Sequence, residues 1–112
     1  PSVISDDVGG VTALIDHLRK AGHEKIGHIA GPTTASTGVV RRAAFENVMR
    51  DLGTSSVADL IVHSSAYNEA EGERCADELL DRNTGITALL CANDRLAIGD
   101  VIDCFDYSIR LD

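Results

Sequence analysis

The stretch TALLCANDRLAIG, residues 87–99, joins a short apolar run to two polar residues and then to apolar residues at helical spacing. The apolar run predicts a buried strand, and the spacing that follows predicts a helix over 94–106. Asp94 is placed to cap that helix, because its carboxylate can accept hydrogen bonds from the first backbone N–H groups. Asn93 and Asp94 would then lie at the carboxyl end of a strand, where α/β proteins bind their ligands.

The same order of strand, polar residues and helix occurs earlier in the chain. Compact apolar runs at 25–30 and 58–62 predict two more strands, and Val3–Ser5 reads as the end of another. Apolar residues at helical spacing predict helices over roughly 9–20, 39–52 and 69–82. Since helices and strands alternate with short connections, we expect an α/β fold with a three-layer doubly wound sheet that is mainly parallel.

Length and charge narrow the class of protein. The chain has 112 residues, the size of one domain, and a net charge of −8. Such a chain is a poor non-specific nucleic-acid binder, because phosphate contacts need clustered Lys and Arg and the basic residues here are dispersed. There is no apolar run long enough for a transmembrane helix. The first residue, Pro1, is not Met, so we expect a piece of a longer protein.

The cysteines indicate a reducing compartment. Cys75, Cys91 and Cys104 are odd in number and lack C-x-x-C spacing. We expect reduced, buried thiols in a cytoplasmic protein.

The predicted strands bring several polar groups to one edge of the sheet. If the strands are parallel neighbours, the loop at 33–38, the loop that holds Tyr67, and the pair Asn93 and Asp94 lie side by side. Arg41, one turn into the following helix, would add a guanidinium. This set suits a small polyol or heterocycle, because bidentate groups recognise hydroxyl pairs and an aromatic ring stacks on a sugar or base.

Each of these residues has a purely structural alternative. Arg41 and Arg42 lie on a predicted helix, where arginine is most often solvated. Tyr67 alone is an ordinary residue at the edge of a core, and Asp94 alone is an ordinary helix cap. Turn chemistry explains an amide such as Asn93 about half the time. The hypothesis of a binding site therefore depends on the convergence of the set.

The motifs of common enzymes are absent from the sequence. There is no G-x-G-x-x-G after a strand, no phosphate-binding P-loop and no G-x-S-x-G elbow. The histidines lack the spacing of H-E-x-x-H or Cys/His metal sites, and surface or core-edge roles are expected for all of them: His17, His23, His28 and His63. We expect neither an enzyme nor a bound metal or cofactor.

Several blocks of the sequence, in order, resemble the LacI/GalR family of bacterial transcriptional regulators. They are DVGG at 7–10, LRKAGHEKIGHIAGP at 18–32, RRAAF at 41–45 and ANDRLAIG at 92–99. The resemblance implies that 1–112 is a single periplasmic-binding-protein-like lobe, the C-terminal half of a two-lobed effector-binding core. The DNA-binding head, the hinge and most of the other lobe would be missing from it. The sequence departs from the family pattern at Ala44, at Tyr107-Ser108 and at Leu111.

The resemblance also implies roles for individual residues. Arg41 matches an arginine that contacts effector hydroxyls or a carboxylate, and Tyr67 matches an aromatic that stacks on the effector. Asn93 and Asp94 match a strand-end pair of which one usually reaches the ligand. The remaining positions implied as ligand contacts are Thr37 and Ser5.

The resemblance finally implies partners. The expected effector is a sugar or a related small molecule, and DNA would be contacted only through the missing head. We also expect a homodimer formed partly through helix 94–106, whose apolar residues surround it rather than line one face. Periplasmic sugar-binding proteins share this fold, so the alternative is a sugar-binding component of a transport system without a DNA role.

Overall fold

The computed structural model describes residues 7–34, 36–92, 103–105 and 108–110. The side chains at 7, 8, 36, 37, 103–105 and 108–110 are not described. The helices are α1 (Asp7–Lys20), α2 (Ser36–Asp51) and α3 (Glu69–Asp81), with a 3-10 helix at Val57–Leu60. The strands are β1 (Ile26–Ala30), β2 (Ile61–His63), β3 (Ala88–Cys91), β4 (Asp103–Phe105) and β5 (Ser108–Arg110).

The strands form one sheet in the order β2-β1-β3-β5-β4. The central strand β1 pairs in parallel with β2 and with β3, so that His28 is in register with Ile61 on one side and Leu90 on the other. β5 runs antiparallel to β3, and β4 runs antiparallel to β5 at the edge. The α/β fold with a parallel centre is the one expected from the alternating elements.

Helices cover both faces of the sheet. A Cβ built on Gly27 of β1 would lie 3.3 Å from the side chain of Leu79 in α3. The next residue, His28, faces the other way and stacks on Phe45 of α2. α1 packs against α2 on that face. Successive residues of a strand point to opposite faces, so the three-layer prediction is confirmed.

The core has the composition expected of a sheet buried on both sides. All residues of β1 and β3 are buried, as in central parallel strands. Each helix contributes apolar residues at helical spacing; those that are fully or nearly fully buried include Ile15, Leu18, Phe45, Met49, Cys75 and Leu79.

The helix ends follow from local chemistry. Gly22 after α1 and Gly53 after α2 have φ values of +101° and +88°, which glycine adopts without a Cβ penalty. Asn68 caps α3, because its side chain accepts a hydrogen bond of 2.9 Å from the backbone N–H of Glu71.

Two predictions of secondary structure are wrong. The apolar run at 58–62 is not one strand, because Val57–Leu60 forms a 3-10 turn that buries its first and last residues. Such i, i+3 burial in a short run is hard to distinguish from a strand. Helix 94–106 is also wrong at its end, because Asp103–Phe105 pairs with β5, which had no assignment from sequence. Pairing across the sheet overrides the local pattern there. Residues 93–102 and Val3–Ser5 lie outside the described residues.

Candidate functional site

The carboxyl ends of the three parallel strands lie side by side. Ala30 at the end of β1 is in register with His63 of β2, and Ile29 is in register with Cys91 of β3. We call the residues that follow these strands the carboxyl edge: Gly31 and Pro32 after β1, Ser64–Tyr67 after β2, and Ala92 after β3. This is the edge on which the sequence placed a binding site.

Hydrogen bonds to β1 hold the carboxyl edge together. The buried Ser64 donates to the carbonyl oxygen of Ala30 through its backbone N–H at 2.8 Å and its hydroxyl at 2.9 Å. On the other side the N–H of Ala92 donates to the carbonyl oxygen of Ile29 at 2.9 Å. The first residues beyond β2 and β3 are therefore fixed relative to the central strand.

Arg41 reaches this edge from the second turn of α2. Its side chain is partly buried, and Nη1 donates a hydrogen bond to the carbonyl oxygen of Ala92. Its neighbour Arg42 instead forms an ion pair of 2.7 Å along the helix with Glu46. The two adjacent arginines therefore have different partners. Arg41 contacts the residue that follows β3, whereas Arg42 pairs with a residue of its own helix.

Tyr67 reaches the same edge from the loop between β2 and α3. Its hydroxyl lies against Gly31, so closely that a Cβ built there would be 2.2 Å from the oxygen. The same oxygen would be 3.0 Å from a Cβ built on Gly38 in α2. The phenol is partly exposed and extends across the end of β1.

The other predicted contacts are only partly within the described residues. Thr37 lies in the first turn of α2, but its side chain is not described. Ser5, Asn93 and Asp94 lie outside the described residues. The structure therefore places both Arg41 and Tyr67 at the carboxyl edge, and Arg41 contacts Ala92, the residue before Asn93.

The loop before α3 is held by a charged pair. Glu71 accepts a hydrogen bond of 2.7 Å from the N–H of Ser65, and Arg74 donates to Glu71 at 2.9 Å and to the carbonyl oxygen of His63 at 3.2 Å. The hydrogen bond from Arg74, followed by that from Ser65, lowers the pKa of Glu71 to about 2. This network sets the path of the chain that carries Tyr67.

His28 lies in the middle of β1, between the sheet and α2. It is fully buried and stacks on Phe45 with ring centroids 4.9 Å apart. Nδ1 lies 2.7 Å from the carbonyl oxygen of Leu90, which can only accept, so Nδ1 carries the proton. Nε2 is then an acceptor, and it has no hydrogen-bond partner among the described residues.

Burial lowers the pKa of His28 to about 4. The hydrogen bond to Leu90 acts in the opposite direction, while the positive charges of His63, Arg42 and Arg41 lower the pKa further. The expected surface or core-edge role is thus wrong for His28. The signal in the sequence was its position between isoleucines in the short run IGHIA. In the structure every residue of that strand is buried.

A cavity of about 520 Å³ lies at the opposite, amino end of the strands. Its lining includes Glu24 and Lys25 before β1, Asp59 before β2 and Thr84 before β3. Ligands of parallel α/β sheets bind at the carboxyl ends, so we do not assign the candidate site to this cavity.

The described part of the chain holds neither a candidate metal site nor a candidate membrane span. Among the residues it covers, no three His, Cys, Asp or Glu side chains are grouped so that they could hold a metal ion. Across those same residues, no helix has both the length and the apolar character needed to cross a membrane.

Comparison with known proteins gives the family. A family model described as a periplasmic binding protein-like domain matches residues 15–110. The chain belongs to this family. Its relatives confirm the LacI/GalR type of the lobe. The HTH-type transcriptional repressor PurR of Haemophilus influenzae is 31% identical over 103 residues, which cover 92% of this chain and 30% of the relative.

Solved structures give the same result for this periplasmic-binding-protein-like lobe. A sugar-binding LacI-family regulator from Escherichia coli, complexed with phosphate, has a TM-score of 0.78 and 27% identity over 88% of this chain and 35% of its own. The regulator CelR in complex with cellobiose has a TM-score of 0.75 and 26% identity over 84% and 28%. The lobe spans about 30% of the length of the curated relative PurR.

Proposed function

We propose that this lobe is the effector-sensing part of a LacI-type DNA-binding transcriptional regulator, and that its effector binds at the carboxyl edge. The observation that carries the proposal is that Arg41 and Tyr67 reach the carboxyl edge from separate elements, Arg41 at Ala92 after β3 and Tyr67 at Gly31 after β1. The relatives are regulators, which favours this function over sugar transport and over an enzyme. A carbohydrate is the proposed effector, because related regulators are described as sugar-binding or bound to cellobiose.

Each residue of the proposed site has a chemical task. The guanidinium of Arg41 has five N–H donors, so it can hold Ala92 and still donate to oxygens of a ligand. The ring of Tyr67 offers a flat surface for the apolar face of a sugar. At the strand-end pair, the amide of Asn93 or the carboxylate of Asp94 is proposed to bind ligand hydroxyls. Minor contacts are proposed for the two remaining residues, Thr37 and Ser5.

The proposed mechanism is linkage between two sites. The carboxyl edge covers one side of a small ligand, and we propose that a second lobe covers the other. Effector binding would change the arrangement of the lobes and, through it, the affinity of an N-terminal head for operator DNA. The effector can shift that equilibrium only by its differential affinity for the two arrangements. We further propose a cytoplasmic homodimer.

The test uses the full-length parent protein. Its melting temperature is measured with a panel of neutral mono- and disaccharides that includes cellobiose, and operator affinity is measured with and without each sugar that stabilises it. A ligand at about 100 times its Kd stabilises the native state by about 2.7 kcal/mol, which such a screen detects. A sugar that both stabilises the protein and changes operator affinity supports the proposal. Sugar binding by a protein that does not bind DNA supports the transport alternative instead.

The isolated lobe provides a second test. We expect weak or no sugar binding by residues 1–112 alone, because half of the proposed cleft is absent. Micromolar binding of the same sugar by the isolated lobe in calorimetry would overturn the two-lobed site.

A further inference from the structure

The phenol of Tyr67 lies in a space made by two glycines. A Cβ on Gly31 would be 2.2 Å from the hydroxyl oxygen and 2.7 and 2.8 Å from ring carbons Cζ and Cε1. A Cβ on Gly38 would be 3.0 Å from the same oxygen. Real Cβ atoms essentially never approach closer than 3.0 Å, so a side chain at Gly31 would displace the phenol, and a contact of 3.0 Å at Gly38 would require the hydroxyl to shift by a few tenths of an ångström. We call Gly31 and Gly38 the glycine seat.

Backbone conformation does not explain these glycines. The described glycines with a positive φ are Gly22, Gly53 and Gly85, and neither residue of the glycine seat is among them. Gly38 lies in the first turn of α2, where a helical backbone does not require glycine. The space required by Tyr67 is therefore the reason that the structure offers for glycine at both positions.

The two glycines lie against different parts of the phenol. At Gly38 the closest approach involves the hydroxyl alone, and the next atoms are the Cα of Gly31 at 3.4 Å and the carbonyl oxygen of Pro32 at 3.5 Å, which are ordinary contacts. At Gly31 the ring itself is in the way. Removal of the hydroxyl would therefore make room for a methyl group at Gly38 but not at Gly31.

We propose that Gly31 and Gly38 are positioning residues for effector recognition, because they hold the phenol of Tyr67 so that its ring face, rather than its hydroxyl, is presented to the ligand. This inference rests on the proposed function. It adds to that function the two residues that fix the position of the ring.

The test is a set of variants of the full-length parent, with sugar affinity measured by calorimetry well below the melting temperature. The probes are cellobiose and the other neutral sugars of the panel. Tyr67→Phe should lose much less affinity than Tyr67→Ala, since the ring face remains, and it sets the reference for the double variant. Gly38→Ala should weaken binding about three- to tenfold, the range expected when one aromatic contact is lost. The double variant Gly38→Ala/Tyr67→Phe should recover the affinity of Tyr67→Phe alone.

Matched controls distinguish a specific effect of the glycine seat from a general loss of structure in the variants. Gly31→Ala should weaken binding and should not be rescued by Tyr67→Phe, because Cζ and Cε1 still meet the added methyl group. Gly10→Ala, at an exposed helical position with nothing within 4 Å, should leave affinity unchanged. Rescue at one glycine and not at the other is a pattern that a merely structural role does not produce.

The contrary outcomes are distinct. If Tyr67→Phe loses as much affinity as Tyr67→Ala, the hydroxyl is the contact and the inference is wrong. A second outcome is that wild type binds a sugar while Gly38→Ala leaves the affinity unchanged, or weakens it in a way that Tyr67→Phe does not restore. Either result refutes the positioning role of the glycine seat and leaves the proposed function standing. If no probe binds wild type and operator binding responds to none, the proposed function fails and this inference fails with it.

Discussion

The guanidinium of Arg41 donates a hydrogen bond to the carbonyl oxygen of Ala92, the residue that directly follows β3. This contact joins the second turn of α2 to the carboxyl edge. Ala92 directly precedes Asn93, so under the proposed function the same side chain contacts the ligand and holds the residue before the strand-end pair. Ligand binding and the path of the chain would then depend on one arginine.

Arg41→Ala in the full-length parent should abolish the effector response and leave operator binding intact. A hydrogen bond to a charged group contributes about 1.5–3 kcal/mol, so effector affinity should fall by a factor of about 10–150. Arg41→Lys should recover part of the loss, since lysine keeps the charge but not the planar fork. Calorimetry with the effector and anisotropy with operator DNA measure the two affinities. The exposed Arg50→Ala, on the same helix, is the control, and unchanged induction by Arg41→Ala would refute the assignment.

Ser64→Ala should destabilise the lobe by about 1 kcal/mol. The variant removes one of the two hydrogen bonds that Ser64 donates to Ala30 but keeps the backbone one. Denaturant unfolding measures the free energy of unfolding, and Ser55→Ala, at an exposed position, serves as the comparison. Equal stability of the two variants would show that the hydroxyl of Ser64 does not hold β2 to β1.

The stability of the lobe should decrease between pH 7 and pH 4 because of His28. Its folded pKa, about 4, lies below its usual value of 6.5, so the folded state favours the neutral ring. The contribution is fully present above pH 6.5 and is lost as pH falls from 6.5 towards 4, with a total on the order of 3 kcal/mol. Denaturant unfolding at a series of pH values measures this loss.

A substitution identifies the group responsible for that pH dependence. His28→Gln should flatten the slope between pH 7 and pH 5, whereas His17→Gln, at an exposed position on α1, should not. Glu71 affects stability at lower pH, because the folded structure lowers its pKa from 4.5 to about 2. Its contribution to the free energy of unfolding is lost as pH decreases through that range. An unchanged slope for His28→Gln above pH 5 would mean that the buried imidazole is not the source.

Gly27→Ala should destabilise the lobe by about 1–3 kcal/mol through overpacking. The added methyl group would lie 3.0 Å from the side chains of Ile86 and Leu89 and 3.3 Å from Leu79, between β1 and α3. Thermal unfolding of Gly27→Ala and of Gly10→Ala, which has open space and should be neutral or stabilising, makes the comparison. A neutral Gly27→Ala would show that α3 can move away from the sheet at little cost.

Much of the fold was predictable because its determinants are local. The spacing of Val11, Ile15 and Leu18 is enough to define the buried side of α1, and Gly22 and Asn68 mark helix ends through their own backbone and side-chain chemistry. The run at 58–62 and the end of the chain were predicted wrongly. There the choice between turn, helix and strand depends on pairing partners that are distant in sequence.

The sequence by itself determined the α/β class, the order of helices and strands up to β3, and the family, because periodicity, caps and motif blocks are properties of neighbouring residues. Only the tertiary structure decided that Arg41 contacts Ala92, that His28 is fully buried in β1, and that Tyr67 lies against Gly31. These are matters of direction and distance between side chains from different elements. They follow from how the helices pack on the sheet, which no local pattern in the chain encodes.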